Sequence, residues 1–458
     1  MKGFVLAGTG TGVGKTTVTA ALLAAFRSRG LAVQPFKCGP DYIDPAHHAA
    51  IAGRPSYNLD TWMMTAEVNR TIFHEACRQA DVVVVEGVMG LFDGANGDSD
   101  EGSTAEIAKL LGLPVVLVLD ASNAARSLAA TVLGFRDFDP QLRLLGVILN
   151  GPAGPAHLKL LRDAVASVEV PILGWFPHLP EAELPERHLG LITACESTWS
   201  AEQLTLLAEA ARQHIDLNVL LESCDTGDGD STPAPARDHR AGNVEQVRIG
   251  IAQDPAFCFY YQSSLNALRA AGAELVPFSP VYDAALPPGL DGLYLGGGYP
   301  EVFAEQLAAN RNFLQSMRQF AGSARPIYAE CGGLMYLGEE IRMRDGQRYP
   351  MAAVLPLSVE MLDRLEGFGY TEVELLDDCF VGGRGSRLRG HSFHYSRVMQ
   401  AGNLECRYRT RQVLTGMEQR EGYSAGNVLA SYIHLSFAGN PAAASRLVQA
   451  CLQSRVVA

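Results

Sequence analysis

Residues 8–17 form a glycine-rich loop with the composition of a phosphate-binding loop. They read Gly-Thr-Gly-Thr-Gly-Val-Gly-Lys-Thr-Thr, directly after an apolar run and directly before a helical pattern. Holding a triphosphate requires close backbone approach, inward-pointing N–H groups and a helix N-terminus, and this arrangement supplies all three. We therefore expect the loop to bind a nucleotide through Gly10, Thr11, Gly12, Val13, Gly14, Lys15, Thr16 and Thr17.

Two side chains of this loop have specific expected tasks. Lys15 can reach the β- and γ-phosphates, and the Thr16 hydroxyl can ligate Mg²⁺. The strict motif requires Gly at position 9, where this chain has Thr, so the loop is a variant with Gly8 one residue earlier. A glycine-rich turn with an incidental Lys-Thr pair is the alternative, and the strand–loop–helix context disfavours it.

Polar side chains follow other predicted strands of the first half. Asp41 and Asp44 come after the run 33–37, Glu86 ends a run of four valines, and Asn150 closes the run 144–150. Ligands of open α/β sheets bind at the carboxyl ends of the strands, so the three carboxylates should meet the loop and can hold Mg²⁺. The two Asp could instead cap turns, and Asn150 could contact an adenine edge or begin a turn. Glu86 needs a charged partner or water, because it ends a buried strand.

A different chemistry is indicated near residue 331. Residues 326–337 form an apolar strand, a tight turn and a helix, with Ala329 and Gly333 as the small residues of a nucleophile elbow around Cys331. The helix N-terminus is expected to lower the pKa of the thiol. His434 is expected to end a second apolar strand and is the candidate base.

The glycine run 296–298 suits an oxyanion, with Gly297 and Gly298 as candidate donors. Each of these residues has an ordinary alternative, since a lone Cys is usually a small buried hydrophobe and a lone His is often structural. His391 and His394 lack the spacing and companions of a zinc site, and we interpret them as residues that line a cleft.

The elements that must position these residues follow from apolar periodicity. In the first half, short apolar strands alternate with helical stretches such as 16–29, 66–79, 104–111 and 200–214, which predicts a parallel sheet covered on both faces. The predicted strands are Phe4–Ala7, Val33–Lys37, Val82–Glu86, Val115–Asp120, Leu144–Asn150 and Pro171–Gly174. A second set begins at Val247–Ala252 and continues with the helix Ser263–Ala271 and the strands Leu275–Pro277, Gly292–Leu295 and Pro326–Ala329.

Residues 222–246 separate the two sets and lack apolar periodicity while being rich in Gly, Pro, Asp and Ser. We interpret them as a linker between an ATP-binding domain at 1–221 and a second α/β domain at 247–458. A length of 458 residues suits two or three domains.

Composition restricts the class of protein. The formal charge of −13 disfavours a protein that binds the phosphate backbone of a nucleic acid. No apolar run reaches the ~20 residues of a membrane helix, and the N-terminal apolar stretch turns into the glycine loop, which is not typical of a signal peptide. Nine cysteines without a C-x-x-C pair cannot all form disulfides, so we expect reduced thiols in a cytoplasmic protein.

Together, these motifs resemble the cobyrinate a,c-diamide synthase family, the ATP- and glutamine-dependent amidases of the corrin pathway. The resemblance covers essentially the whole chain and rests on 7–17, 36–45, 85–94, 295–301, 329–333 and His434. The phosphate loop alone would be shared with dethiobiotin synthetase and with chromosome-partitioning ATPases. The strings Gly-Pro-Asp-Tyr-Ile-Asp-Pro at 39–45 and Glu-Gly-Val-Met-Gly-Leu-Phe-Asp-Gly at 86–94 are far narrower.

The resemblance implies a dethiobiotin-synthetase-like P-loop domain followed by a class I glutamine-amidotransferase-like domain. It implies that Cys331 attacks glutamine with His434 as base, and that a substrate carboxylate and ATP form an acyl phosphate, which ammonia converts to an amide. This would happen at two acetates of a tetrapyrrole polycarboxylate. The residues implied at that site are Asp41, Tyr42 and Asp44 for the substrate, and Thr16, Asp41, Asp44 and Glu86 for Mg²⁺.

The chain departs from the expected family pattern at three positions. Ordinary class I glutaminases carry a Glu two residues after the His, where this chain has Ser436. The corrinoid synthases are understood to use a Cys–His pair, so Ser436 favours that branch. Cys38 stands where Val is expected, and Ser392 stands where Glu is common, which removes one potential carboxylate partner of His434.

Several alternatives stay open. The sequence does not choose among cobalt-containing cobyrinate, metal-free hydrogenobyrinate and a nickel sirohydrochlorin, nor does it exclude cobyric acid synthase, which amidates propionates. A partitioning-type ATPase is the alternative from another class, but it would require an early Lys in the loop and leaves Cys331 unexplained. Neither a nucleic acid nor a membrane is an expected partner, and a homodimer is allowed.

Overall fold

A seven-stranded parallel sheet organises the first half of the chain in the computed structural model, which describes residues 2–457 except 185, 188–189, 225–245, 401 and 403. Its strands, in chain order, are β1 (Lys2–Gly8), β2 (Val33–Cys38), β3 (Tyr57–Leu59), β4 (Val82–Glu86), β5 (Val115–Asp120), β6 (Leu144–Asn150) and β7 (Ile172–Phe176). Their order across the sheet is β3-β2-β4-β1-β5-β6-β7. The first strand therefore lies centrally, between β4 and β5.

Helices connect these strands and cover both faces of the sheet. They are α1 (Lys15–Ser28), α2 (Ile43–Ala52), α3 (Ala66–Ala76), α4 (Thr104–Leu111), α5 (Ser127–Asp137), α6 (Pro155–Ala166), α7 (Ala201–His214) and α8 (Leu217–Ser223). A short hairpin, β8 (Glu186–Arg187) and β9 (Gly190–Leu191), precedes α7. Successive strand residues enter opposite cores, since Phe4 and Leu6 pack on one side and Val5 and Ala7 on the other. A sheet buried on both faces explains why its strands are continuously apolar.

A second sheet of ten strands organises residues 247–457 and combines parallel and antiparallel parts. Its parallel strands are β10 (Val247–Ala252), β11 (Ala273–Phe278), β12 (Gly292–Leu295), β13 (Ile327–Glu330) and, later in the chain, Val428–Ser431. Four helices accompany them: α9 (Gln262–Ala270), α10 (Ala304–Ala309), α11 (Arg311–Ala321) and α12 (Gly332–Leu337).

The strands between residues 340 and 435 extend this sheet or pair separately. They are β14 (Glu340–Arg342), β15 (Arg348–Pro350), β16 (Ser358–Met361), β17 (Gly367–Leu375), β18 (Arg387–His394), β19 (Ser396–Gln400), β20 (Glu405–Gln412), β21 (Glu418–Ala425), β22 (Val428–Ser431) and β23 (His434–Leu435). The large sheet runs β11-β10-β12-β13-β22-β21-β20-β17-β18-β23, and a four-stranded sheet runs β15-β14-β16-β19. Helix α13 (Pro441–Val457) ends the described chain.

The chain separates into two compact units, residues 1–235 and 236–458. The predicted α/β class is confirmed, and the predicted strands of the first half match the observed ones to within two residues at each end. Most of the predicted linker lies outside the described residues, but Glu222 and Ser223 belong to α8. Among the described residues, no helix combines the length and the apolar character needed to span a membrane.

Candidate active sites

The phosphate loop connects β1 to α1 and requires glycine at particular backbone angles. Gly12 and Gly14 have φ values of 79° and 94°, in the left-handed region that glycine adopts without strain. Gly14 is also the residue before the first turn of α1, and a Cβ there would lie 2.1 Å from Asn150 Nδ2. Asn150 itself donates from Nδ2 to the Val13 carbonyl at 3.1 Å, so this side chain supports the loop from β6.

Lys15 is folded back over the loop. Its ammonium donates to the Gly10 carbonyl at 2.8 Å and to the Met89 carbonyl at 2.6 Å. Burial and the nearby charge of Lys37 lower the pKa of Lys15. Met89 itself has φ of 48°, a conformation that is uncommon for residues other than glycine.

A second lysine lies among the carboxylates that the sequence analysis assigned to a metal. Lys37 Nζ lies 2.5 Å from Asp44 Oδ2, 2.9 Å from Glu86 Oε1 and 3.8 Å from Asp41 Oδ2. Burial alone would lower the pKa of Lys37, but the charges of Asp44, Glu86 and Asp41 raise it well above its usual range. The carboxylates are therefore held together by a buried ammonium.

Glu86 is the centre of this group. Its Oε1 accepts the Thr16 hydroxyl at 2.8 Å, and its Oε2 lies 2.7 Å from His48 Nε2. Burial alone would raise the pKa of Glu86, but Lys37 and His48 hold it well below its usual range. The Thr16 hydroxyl is also 3.3 Å from Asp44 Oδ2, so the loop and both carboxylates share one hydrogen-bonded cluster.

Asp41 and Tyr42 lie at the start of α2, and part of their role is local. Asp41 Oδ1 accepts from the Ile43 and Asp44 amides at 2.8 and 3.1 Å, which is the turn-capping geometry named as an alternative in the sequence analysis. Its other oxygen faces Lys37. Tyr42 is the residue immediately before α2.

The predicted metal ligands form an oxygen cluster but not a preformed cage. Among the described residues, no group of three or more His, Cys, Asp or Glu side chains is arranged to hold a metal ion. The Lys37 ammonium lies between the carboxylates of Asp44 and Glu86. Sequence reasoning missed both Lys37 and His48, although an isolated Lys in a buried strand is the signal that could have indicated the first.

In the second unit, Cys331 occupies the sharp turn between β13 and α12. Its backbone has φ of 48° and ψ of −102°, a strained conformation typical of a nucleophile elbow. The glycines that follow make the turn possible: a Cβ on Gly332 would lie 2.9 Å from Pro300 Cδ, and one on Gly333 would lie 2.4 Å from the Leu295 carbonyl. Both of these neighbours flank the glycine run 296–298.

His434 reaches the same region from the neighbouring strand. Strands β13 and β22 pair, and the Cys331 amide donates to the Ser431 carbonyl at 2.7 Å. The chain then continues through two residues to His434, which begins β23 rather than ending β22. A Cβ placed on Gly297 would lie 2.6 Å from His434 Cε1 and 3.4 Å from Nε2, so the imidazole faces the glycine run.

The glycine run packs tightly around the turn that carries Cys331. Gly298 has φ of 154°, and a Cβ there would lie 2.1 Å from the Ala256 carbonyl. A Cβ on Gly332 would lie 3.1 Å from the Gly298 nitrogen, which places that nitrogen beside the nucleophile turn. Gly297 uses its carbonyl to accept from the Cys258 and Phe259 amides, both at 3.1 Å. The predicted oxyanion segment thus lies next to Cys331 and His434.

The prediction that the helix N-terminus lowers the pKa of the Cys331 thiol is wrong. Burial raises the pKa of the thiol to about 12, with a further rise from Glu301, while the Gly332 amide acts in the opposite direction. Helix α12 has only six residues and its N-terminus does not compensate for the loss of water around the sulfur. A neighbouring base would help this thiol to act as a nucleophile.

Other histidines surround His434. The rings of His391 and His434 stack with centroids 5.0 Å apart, and His391 Nδ1 lies 2.9 Å from the Tyr261 hydroxyl. Burial, with His434 nearby, lowers the pKa of His391 well below its usual value. His394 stacks on Tyr432 at 3.8 Å.

A buried carboxylate that the sequence analysis did not single out precedes Cys331. Glu330 Oε1 accepts from the Tyr328 hydroxyl at 2.7 Å and the Leu435 amide at 3.1 Å, and Oε2 accepts from the Tyr294 hydroxyl at 2.8 Å. The same Oε2 lies 3.4 Å from His434 Nδ1. A carboxylate that ends an apolar strand, as Glu86 also does, is the sequence signal that could have indicated Glu330.

Comparison with protein families identifies each half separately. Residues 4–192 match the model described as a CobQ/CobB/MinD/ParA nucleotide binding domain. Residues 248–442 match the CobB/CobQ-like glutamine amidotransferase domain. The first match contains the phosphate loop and the Lys37 cluster, and the second contains Cys331 and His434.

Curated relatives resemble the chain over nearly its full length. A protein named cobyrinate a,c-diamide synthase from Leptospira interrogans is 43% identical over 98% of this chain and 98% of its own length. Proteins of the same name from Syntrophotalea carbinolica and Salmonella typhimurium are 44% and 43% identical, over 98% and 96% of this chain and 98% and 95% of their own.

Proposed function

The chain belongs to the cobyrinate a,c-diamide synthase family, and from that membership we propose that it amidates the a and c acetate carboxylates of cobyrinate or hydrogenobyrinate. ATP and glutamine are the co-substrates of this reaction. The observation that carries the proposal is the presence of two complementary sites in one chain. The phosphate loop with its buried carboxylates suits phosphoryl transfer, and Cys331 beside His434 suits release of ammonia from an amide.

In the proposed glutaminase reaction, His434 removes the proton of the Cys331 thiol, and the thiolate attacks the glutamine amide carbon. The oxygen that becomes negative lies against the backbone amides of the run that includes Gly297 and Gly298. His434 returns the proton to the departing nitrogen, which leaves as ammonia. Water then hydrolyses the thioester to glutamate and regenerates the thiol.

In the proposed amidation reaction, an acetate oxygen of the ring attacks the γ-phosphorus of ATP and ADP leaves. The acyl phosphate formed is attacked by ammonia, and phosphate leaves as the amide forms. Lys15 and the amides of the loop, including those of Gly12 and Gly14, suit the triphosphate. Asp41, Tyr42 and Asp44 are the residues that we assign to the substrate side of this site.

The residues present suit Mg²⁺ as a companion of ATP. Hydroxyl and carboxylate oxygens are the ligands that this ion prefers, and it commonly takes one or two carboxylates with phosphates and water completing the shell. Thr16, Glu86 and Asp44 would hold the ion, with Asp41 nearby. When bound, it would offset the negative charge of the phosphates. Lys37 would then have to move or share its carboxylates with it.

The proposed substrate is an acidic tetrapyrrole, and Lys15, whose ammonium donates to two backbone carbonyls, supplies local positive charge in a protein whose net charge is −13. We place the reaction in the cytoplasm, in keeping with the cysteine pattern of the sequence. A homodimer is compatible with this activity and is not required by it.

Mass spectrometry of the product tests the proposal. The protein would be incubated with ATP, Mg²⁺ and glutamine together with cobyrinate, hydrogenobyrinate or a nickel sirohydrochlorin. The expected result is the mass change of two amidations on cobyrinate or hydrogenobyrinate. Amidation of the nickel ring alone, or of propionates on an already diamidated ring, would contradict the substrate assignment and favour the alternatives.

A further inference from the structure

Glu330 is placed to orient His434. The imidazole has two sides with different neighbours, since its Cε1–Nε2 edge faces the glycine run beside Cys331 and Nδ1 lies 3.4 Å from Glu330 Oε2. Both side chains are almost fully buried, with 2% of His434 and 1% of Glu330 exposed. A carboxylate on the second nitrogen fixes the tautomer and the ring direction of a catalytic histidine.

The carboxylate is itself held in place from three sides. The Tyr328 and Tyr294 hydroxyls and the Leu435 amide all donate to it, at 2.7, 2.8 and 3.1 Å. An ionised carboxylate is acceptor-only, so three donors and no acceptor are the partners expected for the charged form. Because Leu435 follows His434 directly, Glu330 also fixes the backbone beside the imidazole.

Position 436 explains why this carboxylate matters. The Glu that ordinary class I glutaminases place two residues after the histidine is Ser436 in this chain, and the Ser436 hydroxyl accepts from the Gly439 amide at 3.0 Å. Ser392, which stands where Glu is common in the family pattern, is also uncharged. The charge near the histidine therefore comes from the strand that carries the nucleophile.

We propose that Glu330 is a positioning residue for His434 and takes the part of the carboxylate that position 436 lacks. This rests on the proposed glutaminase function. During thiol activation, the Cys331 proton passes to His434 Nε2 while Nδ1 remains beside the Glu330 carboxylate, 3.4 Å from Oε2. His434 gives that proton to the departing ammonia, so no proton is gained or lost by Glu330.

The test measures glutamine hydrolysis by the full chain carrying Glu330→Gln. The expected result is a fall in kcat of about 100-fold, in the range of general-base contributions, with little change in KM for glutamine. Amidation with an ammonium salt should be unchanged. Asp291→Asn is the matched control, since it neutralises a buried carboxylate of the same unit whose partners are Arg455 and the Arg248 amide. It should leave kcat of the folded protein as in the wild type.

A double-mutant cycle with His434→Ala separates orientation from structure. If Glu330 acts through His434, E330Q/H434A should be no slower than H434A, because the group to be oriented is absent. The proposal would be overturned if the two substitutions lowered kcat by factors that multiply in the double mutant. It would also be overturned if Glu330→Gln had a normal kcat and a raised KM for glutamine.

Should Glu330→Gln not fold, Glu330→Asp provides the same test. The aspartate keeps the negative charge, but its side chain is one methylene shorter, so its carboxylate lies farther from His434. The kcat for glutamine hydrolysis should therefore fall, and the double-mutant cycle with H434A should again be non-additive. A normal kcat for E330D in that case overturns the proposal. Absence of glutamine hydrolysis in the wild-type protein would instead refute the proposed function, which keeps the two failures distinct.

Discussion

Lys37 determines the electrostatics of the N-terminal site. Its side chain is 3% exposed, and three carboxylates lie within 3.8 Å of its nitrogen. Replacing a whole buried ion pair by apolar groups often costs little, but removing one partner leaves a buried charge without compensation. The lysine is therefore expected to stabilise the fold as well as to position Glu86 and Asp44.

Lys37→Met should lower the free energy of unfolding by about 3 kcal/mol, because Glu86 and Asp44 lose their buried counter-ion. Urea denaturation measures the change. Lys109→Met is the control, since Lys109 also joins two carboxylates, Asp100 and Asp139, but at a partly exposed site. It should cost less than about 1 kcal/mol. Equal losses for the two variants would contradict this account of the cluster.

Glu421 gives a prediction about pH. Burial raises the pKa of Glu421 to about 7, although the Ser431 hydroxyl and the Tyr432 amide both donate to it at 2.6 Å. The folded state thus binds this proton more tightly than the unfolded state, whose carboxyl titrates near 4.5. Its contribution to stability is complete below about pH 4.5 and is lost as the pH rises through about 7.

The stability of Glu421→Gln relative to the wild type should therefore increase between pH 4.5 and pH 8, by up to about 3 kcal/mol. The amide has no proton to release in that range, whereas the buried carboxylate must ionise. Urea denaturation of both proteins at the two pH values gives the difference. The raised pKa of Glu421 would be contradicted if the difference in unfolding free energy between the two proteins were the same at both pH values. It would also be contradicted if the variant became less stable relative to the wild type as the pH rises.

At the scale of elements, each site is made by a turn between a strand and a helix. The loop before α1 needs left-handed backbone at Gly12 and Gly14, and the turn before α12 needs it at Cys331. In each case a neighbouring strand supplies the partner, Glu86 from β4 for the loop and the segment after β22 for the cysteine. The carboxyl ends of parallel strands thus bring residues distant in sequence together.

Gly14→Ala should abolish ATP binding, because the new Cβ would lie 2.1 Å from Asn150 Nδ2 in addition to the strain of a φ of 94°. Isothermal titration with ATP and Mg²⁺ measures the loss. Gly112→Ala is the control, since Gly112 ends α4 with φ of 64° and a Cβ there meets nothing within 4 Å. It should cost about 1–2 kcal/mol of stability and leave binding intact. If Gly14→Ala still bound ATP, the Asn150 side chain would have to move away from the new Cβ, and the prediction would be wrong.

The parallel strands could be predicted because burial on both faces makes them continuously apolar, as in the four valines of β4. The antiparallel strands were not predicted, since they are half-exposed and mix charge with apolar residues, as in the sequence Glu-Cys-Arg-Tyr-Arg-Thr-Arg-Gln of β20. The three-residue edge strand β3 is too short to give a pattern.

At the two candidate sites, too, some features could be predicted from the sequence and others could not. Residue types and spacing were sufficient to make the loop and Cys331 candidates. They did not indicate that Lys37 lies among the carboxylates or that Glu330 faces His434, because both facts depend on which strands are neighbours. The thiol pKa was predicted in the wrong direction, since the depth of burial around Cys331 is a property of the packed unit and not of the local helix.

At the scale of the whole molecule, the two sites belong to two units with separate cores. Strands β1 and β4 contribute alternate residues to the two cores of the first unit, and β12 and β13 do the same in the second. Each unit therefore has the packing to hold its own site. The proposed function requires that ammonia made in one unit be used in the other.

The central claim is that Cys331 releases the ammonia that the other unit uses for amidation. The most direct test is the product mass from the Cys331→Ala variant. The variant is assayed with ATP, the ring substrate and either glutamine or an ammonium salt. Cys451→Ala, which removes a buried free thiol of the same unit, is the control and should use both nitrogen sources. The account predicts no amide from glutamine and wild-type amide from ammonium for Cys331→Ala. Amide formed from glutamine, or loss of the ammonium-dependent product as well, would contradict it.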